Sequence, residues 1–112
     1  MPRISEKVIY PELSYALCGL CFVVQNRLGR FRSERQYADF LESLLTEHAN
    51  RNRPDFVIGD KVVFDLKTKR LITKEDYFQM KRYLTSARKR LGLIVNFRPR
   101  YVVVKRVLNP TS

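Results

Sequence analysis

Residues 54–67, PDFVIGDKVVFDLK, limit the possible folds more than any other part of the chain. Two apolar runs flank Gly59-Asp60, and only one hairpin register separates polar from apolar side chains. With a three-residue loop, Gly59-Asp60-Lys61, Ile58 faces Val62, Val57 faces Val63, Phe56 faces Phe64 and Asp55 faces Asp65. One side of the hairpin then carries Phe56, Ile58, Val62, Phe64 and Leu66. The other carries Asp55, Val57, Val63, Asp65 and Lys67. A two-residue loop sets Asp55 beside Phe64 and mixes the faces. A one-residue slip turns every side chain over, so the pattern selects the three-residue loop, which is a common hairpin form.

The flanking sequence supplies elements to pack on this hairpin. Residues 11–28 predict a helix, with Leu13, Leu17, Leu20, Val24 and Leu28 at helical spacing and Gly29 as its end. Cys18, Cys21 and Phe22 make a second face apolar, so this helix is expected to be covered on more than one side. Ser33 and Gln36 have the form of a capping box for a second helix, with Tyr37, Phe40, Leu41, Leu44, Leu45 and His48 as its stripe. Thr73 and Asp76 mark a third helix start, with Tyr77, Met80, Leu84, Ala87 and Leu91 as the stripe. Strands are expected at residues 92–97 and 101–107. The order α-α-β-β-α-β-β describes an α/β (α+β) fold, a small mixed sheet flanked by helices. The 112 residues suit one domain, 1–112.

Charge narrows the partners. Residues 1–50 carry six basic and six acidic side chains, so the whole net charge of +11 resides in residues 51–112. A field of that sign attracts polyanions, above all nucleic acid, although a solvated basic face needs no partner. The longest apolar run, residues 13–24, is too short to span a bilayer, and no membrane association is expected. The first residues lack the apolar core of an export signal, and two cysteines fit a reducing compartment, so a cytoplasmic location is expected.

The polar side of the hairpin carries the chemistry. Asp55 and Asp65 meet across neighbouring strands with Cβ atoms about 5 Å apart, and Lys67 follows on the same side. Two carboxylates this close share a proton or bind a divalent cation, and hard oxygen donors suit Mg2+. A cation there can polarise a phosphoryl oxygen and activate water, with Lys67 orienting or deprotonating that water or offsetting phosphate charge. An ordinary Asp65–Lys67 surface ion pair is the simpler alternative.

The run PD-x9-D-x-K, with Gln79 downstream and GLIVNF at residues 92–97, resembles the PD-(D/E)XK nuclease superfamily. YPELSY at 10–15, NRLG at 26–29, Glu34-x-x-Tyr37, ITKEDYFQMKRYL at 72–84 and KRVL at 105–108 resemble its GxxExxY protein family. The resemblance implies a restriction-endonuclease-like core and an Mg2+-dependent nuclease, with Mn2+ as a possible substitute. By position it implies Asp55 and Asp65 as metal ligands, helped by Glu34 and the Leu66 carbonyl. It implies Lys67 as the catalytic lysine, with Glu34 and Gln79 in support. Two departures stand out. Phe31 replaces the glycine that opens the GxxExxY motif. The stretch before Pro54 is also shortened, so the strand usual there is expected to be missing, leaving the sheet without an edge partner beside the aspartate strands.

Other candidates weigh less. Glu34 lies in line with the stripe of its helix, which aims it inward, although dipole compensation also explains a first-turn glutamate. Gln79 lies beside its stripe. The Cys18-x-x-Cys21 pair sits mid-helix and reads as core packing. His48 lacks a nucleophile partner nearby in sequence. Lys69, Arg70, Arg98 and Arg100 are candidate contacts to nucleic acid, DNA or RNA, through the backbone rather than base edges. The expected activity is phosphodiester hydrolysis. A non-catalytic nucleic-acid-binding or protein-interaction domain of the same fold is the alternative, and the sequence sets no oligomeric state.

Overall fold

A computed structural model of the chain describes residues 10–45, 49–51 and 56–109. Helices α1 (Pro11–Leu28) and α2 (Glu34–Leu44) come first. Strands β1 (Ala49–Arg51), β2 (Phe56–Ile58) and β3 (Val62–Lys67) follow, then helix α3 (Lys74–Ala87) and strands β4 (Leu91–Asn96) and β5 (Val103–Leu108). The sheet order is β1-β2-β3-β4-β5, with β3 and β4 parallel and every other pair antiparallel. The order of the main elements is the expected one, a mixed α+β sheet consistent with a restriction-endonuclease-like core. One expectation fails. The short strand β1 pairs with β2, so the sheet does have an edge partner where the shortened sequence suggested none.

The hairpin register is the one polarity selects: Phe56 pairs with Phe64, Val57 with Val63 and Ile58 with Val62. Gly59 and Asp60 turn the chain with φ of 60° and 55°, and the Lys61 amide donates to the Ile58 carbonyl at 3.1 Å. The parallel β3–α3–β4 crossover places a helix on the sheet, so β3 and β4 are buried on both faces and read as near-continuous apolar runs. On one face, Phe56, Ile58, Val62, Phe64, Leu66, Leu93 and Val95 pack with Leu17, Cys21 and Val24 of α1 and with Tyr37 and Leu41 of α2. On the other, Val63, Ile94 and Val107 pack with Met80 and Leu84 of α3. Each such fully buried aliphatic side chain contributes about 1.5–3 kcal/mol of transfer free energy. Gly92 makes room for α3, because a Cβ there would lie 2.5 Å from Met80 Sδ.

Both capping boxes form. Ser33 and Gln36 cap α2, and Thr73 and Asp76 cap α3. The α3 stripe keeps Met80 and Leu84 from the expected set but has Asp76 in place of Tyr77. Asp76, Met80 and Leu84 are buried, while Tyr77 is exposed and Leu91 belongs to β4. Asp76 turns inward toward Lys67 and Lys69, with which it is paired. Among the described residues, helix α1 is covered on one side only. Leu17, Cys21, Val24 and Gln25 are buried, whereas Tyr15, Phe22 and Val23 face solvent. The turn after α1 is braced by Tyr37, whose hydroxyl donates to the Gly29 carbonyl and whose ring stacks on Phe97 at 4.2 Å. Among the described residues, no helix is long and apolar enough to cross a membrane.

Candidate functional site

Strand β3 ends in Asp65-Leu66-Lys67, and its alternation decides what each residue meets. The Leu66 side chain points to the α1–α2 face and is fully buried. Asp65 and Lys67 point to the α3 face, beyond the apolar contacts that Val63 makes there. Lys67 Nζ lies 3.3 Å from Asp65 Oδ2 and 3.9 Å from Asp76 Oδ1. The other Asp76 oxygen accepts from Lys69 Nζ and from the Thr73 amide, each at 2.8 Å, and from the Thr73 hydroxyl at 3.1 Å. A chain of alternating charge, Asp65–Lys67–Asp76–Lys69, therefore ties the end of β3 to the N-terminus of α3.

Burial works against charge on Lys67, but Asp65, Asp76 and then Glu34 outweigh it, and the ammonium is held above its ordinary pKa. Burial likewise opposes ionisation of Asp76, yet the hydrogen bonds from Lys69 and Thr73 and the Lys69 charge prevail and hold its carboxyl below the usual range. Lys67 is thus a cation at neutral pH, suited to donating hydrogen bonds and offsetting negative charge.

Asn96 supports the same end of the sheet. It pairs with Lys67 in the β3–β4 register and is buried. Its Nδ2 donates to the Lys69 carbonyl at 2.7 Å, and its Oδ1 accepts from the Lys69 amide at 3.1 Å and the Arg98 amide at 3.3 Å. The loop after Lys67 is thereby fixed against the loop after β4.

The remaining candidates fall as follows. Asp55 lies outside the described residues, as does His48. Glu34 opens α2 and is exposed, because the stripe is buried only from Tyr37 onward, so it does not point into the core. Its charge still acts on Lys67. Gln79 is exposed on α3. Lys69 is engaged with Asp76, while Arg70 and Arg100 are exposed. Arg98 is half-buried, and its Nε donates to the Arg30 carbonyl at 3.3 Å. Cys18 and Cys21 are free thiols that burial pushes up in pKa, as expected of core packing. Among the described residues, no group of three or more His, Cys, Asp or Glu side chains gathers as a metal cluster. A cavity of about 390 Å3 lined by Leu28, Arg32, Gln36, Asp39, Phe40 and Ser43 contains none of the candidates.

Sequence reasoning took Asp76 for a helix cap alone and passed over Asn96. A signal for Asn96 existed: it is the one polar residue in the run GLIVNF. Asp76 carried none beyond the capping pattern, since its pairing with Lys67 and Lys69 depends on where α3 lands.

A family model described as PD-(D/E)XK nuclease superfamily matches residues 46–107, more than half of the chain. Comparison with characterised proteins and with solved structures yields no match.

Proposed function

The chain belongs to the PD-(D/E)XK nuclease superfamily, and on that premise we propose that it hydrolyses phosphodiester bonds of DNA or RNA with the help of Mg2+ or Mn2+. The carrying observation is the Lys67 ammonium, held cationic 3.3 Å from Asp65 at the end of β3. A nuclease-like domain and a divalent cation agree with the family; the residues and the ion are our assignment.

The donors near Lys67 suit a hard cation. Asp65 offers carboxylate oxygens and Leu66 a main-chain carbonyl, whereas the soft donors Cys18 and Cys21 sit in α1. Asp55 stands one residue before Phe56, the last residue paired in the β2–β3 register. Asp55, Asp65, the Leu66 carbonyl and Glu34 would hold the ion. When bound, a divalent cation polarises a phosphoryl oxygen and makes water a better nucleophile.

The protein's own groups do the rest. Lys67 donates a hydrogen bond to the attacking water and offsets the charge that grows on the phosphate. Asp76 positions Lys67 without touching substrate. Gln79, on the exposed side of α3, contacts the nucleic acid. Arg70, Arg98 and Arg100 engage backbone phosphates, while Lys69, with one of its donors on Asp76, adds charge beside them.

Plasmid nicking tests the proposal. Wild-type protein should nick in Mg2+ and stop in EDTA, and Lys67→Ala should slow nicking by about a hundredfold or more. Nicking that is indifferent to EDTA or to Lys67→Ala overturns it. If neither protein cuts, yet both bind DNA with a steep salt dependence, the domain is a non-catalytic binder.

A further inference from the structure

Phe31 has no packing role that the fold requires. It sits in the turn between α1 and α2 and is 73% exposed. Two guanidinium groups lie over its ring, with Cζ of Arg30 at 5.1 Å and of Arg98 at 5.5 Å from the centroid, while most of the side chain stays open to solvent. The two arginines come from different turns and bond reciprocally. Arg30 Nε donates to the Arg98 carbonyl at 2.9 Å, and Arg98 Nε donates to the Arg30 carbonyl at 3.3 Å.

The base under this ring is stiff. Gln25 is buried in α1 and donates to the Phe97 and Pro99 carbonyls at 3.0 and 2.9 Å, while accepting from the Val102 amide at 2.8 Å. Those bonds pin the β4–β5 turn to α1. Tyr37 closes the α1–α2 turn from the other side and stacks on Phe97. The Arg98 amide also bonds Asn96, the residue paired with Lys67. A solvent-facing aromatic ring that carries two cations thus stands on braced turns at the same end of the sheet as Lys67.

An aromatic face beside cations has a definite ligand chemistry. A planar, unpaired base stacks on the ring, and the adjoining phosphates meet the guanidinium groups. A base inside a duplex is already stacked on both faces and cannot use such a ring. We propose that Phe31 is a stacking platform for an unpaired base, so that the preferred substrate carries single-stranded nucleotides beside the bond to be cut. The choice of nucleic acid as ligand rests on the function proposed above; the platform itself does not require that the protein cut.

The chain contains no tryptophan, so Phe31→Trp places a single reporter on the platform. The full chain carrying this substitution is titrated in EDTA with a single-stranded oligonucleotide and with an abasic strand of equal length and charge. The base-bearing strand should quench the tryptophan, and the abasic strand should not. In parallel, Phe31→Ala should lose about tenfold or more in affinity for the single strand and stay within twofold of wild type on a blunt duplex. Equal quenching by both strands, no quenching, or equal loss on single strand and duplex overturns the platform. Base-dependent quenching in a protein that cuts nothing in Mg2+ keeps the platform and rejects the hydrolase. Cutting without base-dependent quenching does the reverse.

Discussion

Replacing Asp76 tests how the site is held. In Asp76→Ala the cap of α3 loses the acceptor for the Thr73 amide and hydroxyl, and Lys69 loses its partner at 2.8 Å. Loss of a capping interaction costs about 1 kcal/mol. The Lys69 pair adds less than about 1 kcal/mol, because Lys69 is 38% exposed and water screens it. With Lys67 also deprived of one carboxylate, the total should be about 2 kcal/mol, or a fall in Tm of roughly 6–10 °C. Asp76→Asn keeps an acceptor for Thr73 and should cost about half as much. Urea unfolding with a constant m value measures both. The sign with pH is also defined. The Asp76 carboxyl is held below its usual range, so its contribution is present above the ordinary carboxylate pKa and is lost as pH falls through the depressed folded value. The gap between wild type and Asp76→Asn should therefore be full at pH 7 and close at strongly acid pH. A cost under about 0.5 kcal/mol for Asp76→Ala, or a gap that widens on acidification, would refute the charge chain as a support of the site.

Three further outcomes follow from the packing and the charges. Gln25→Ala strands three hydrogen-bonding groups of the β4–β5 turn and should cost about 2–3 kcal/mol, with faster hydrogen exchange at the Val102 amide; unchanged protection there contradicts the brace. Gly92→Ala should crowd Met80 and cost about 1–3 kcal/mol, partly relieved when Met80 is also shortened to Ala; strict additivity in that double-mutant cycle contradicts the contact. The Lys67 ammonium is held above its ordinary pKa, so its stabilising interaction is full below the unfolded lysine value of about 10.4 and fades as pH rises through the folded value. Wild-type and Lys67→Ala unfolding curves should thus keep a constant separation from pH 7 to 9 and converge only above pH 10.

Much of this arrangement was legible in the residues because hydrophobic pattern and turn chemistry agree locally. The period-two alternation on either side of Gly59-Asp60 leaves one register, and both capping boxes follow from residues three apart. What escaped depends on long-range placement. That Asp76 rather than Tyr77 turns inward is decided by Lys67 at the end of β3 and Lys69 just beyond it. That Glu34 faces solvent is decided by where the packing of α2 on the sheet begins, which helical periodicity alone does not specify. The exposed outer face of α1 belongs to the same class, since an apolar stripe does not say whether this chain supplies its cover. The three-residue strand β1 is too short to leave a periodic signal.

The claim on which the rest depends is that Asp65 and Asp55 serve one cation beside Lys67. Calorimetric titration of Mn2+ into wild-type protein, Asp55→Asn and Asp65→Asn measures it without relying on turnover. Saturable binding of one ion to wild type, with each single substitution removing nearly all of it while the unfolding midpoint stays close to wild type, is the expected result. Equal Mn2+ affinity in all three proteins would contradict a metal centre at the end of β3.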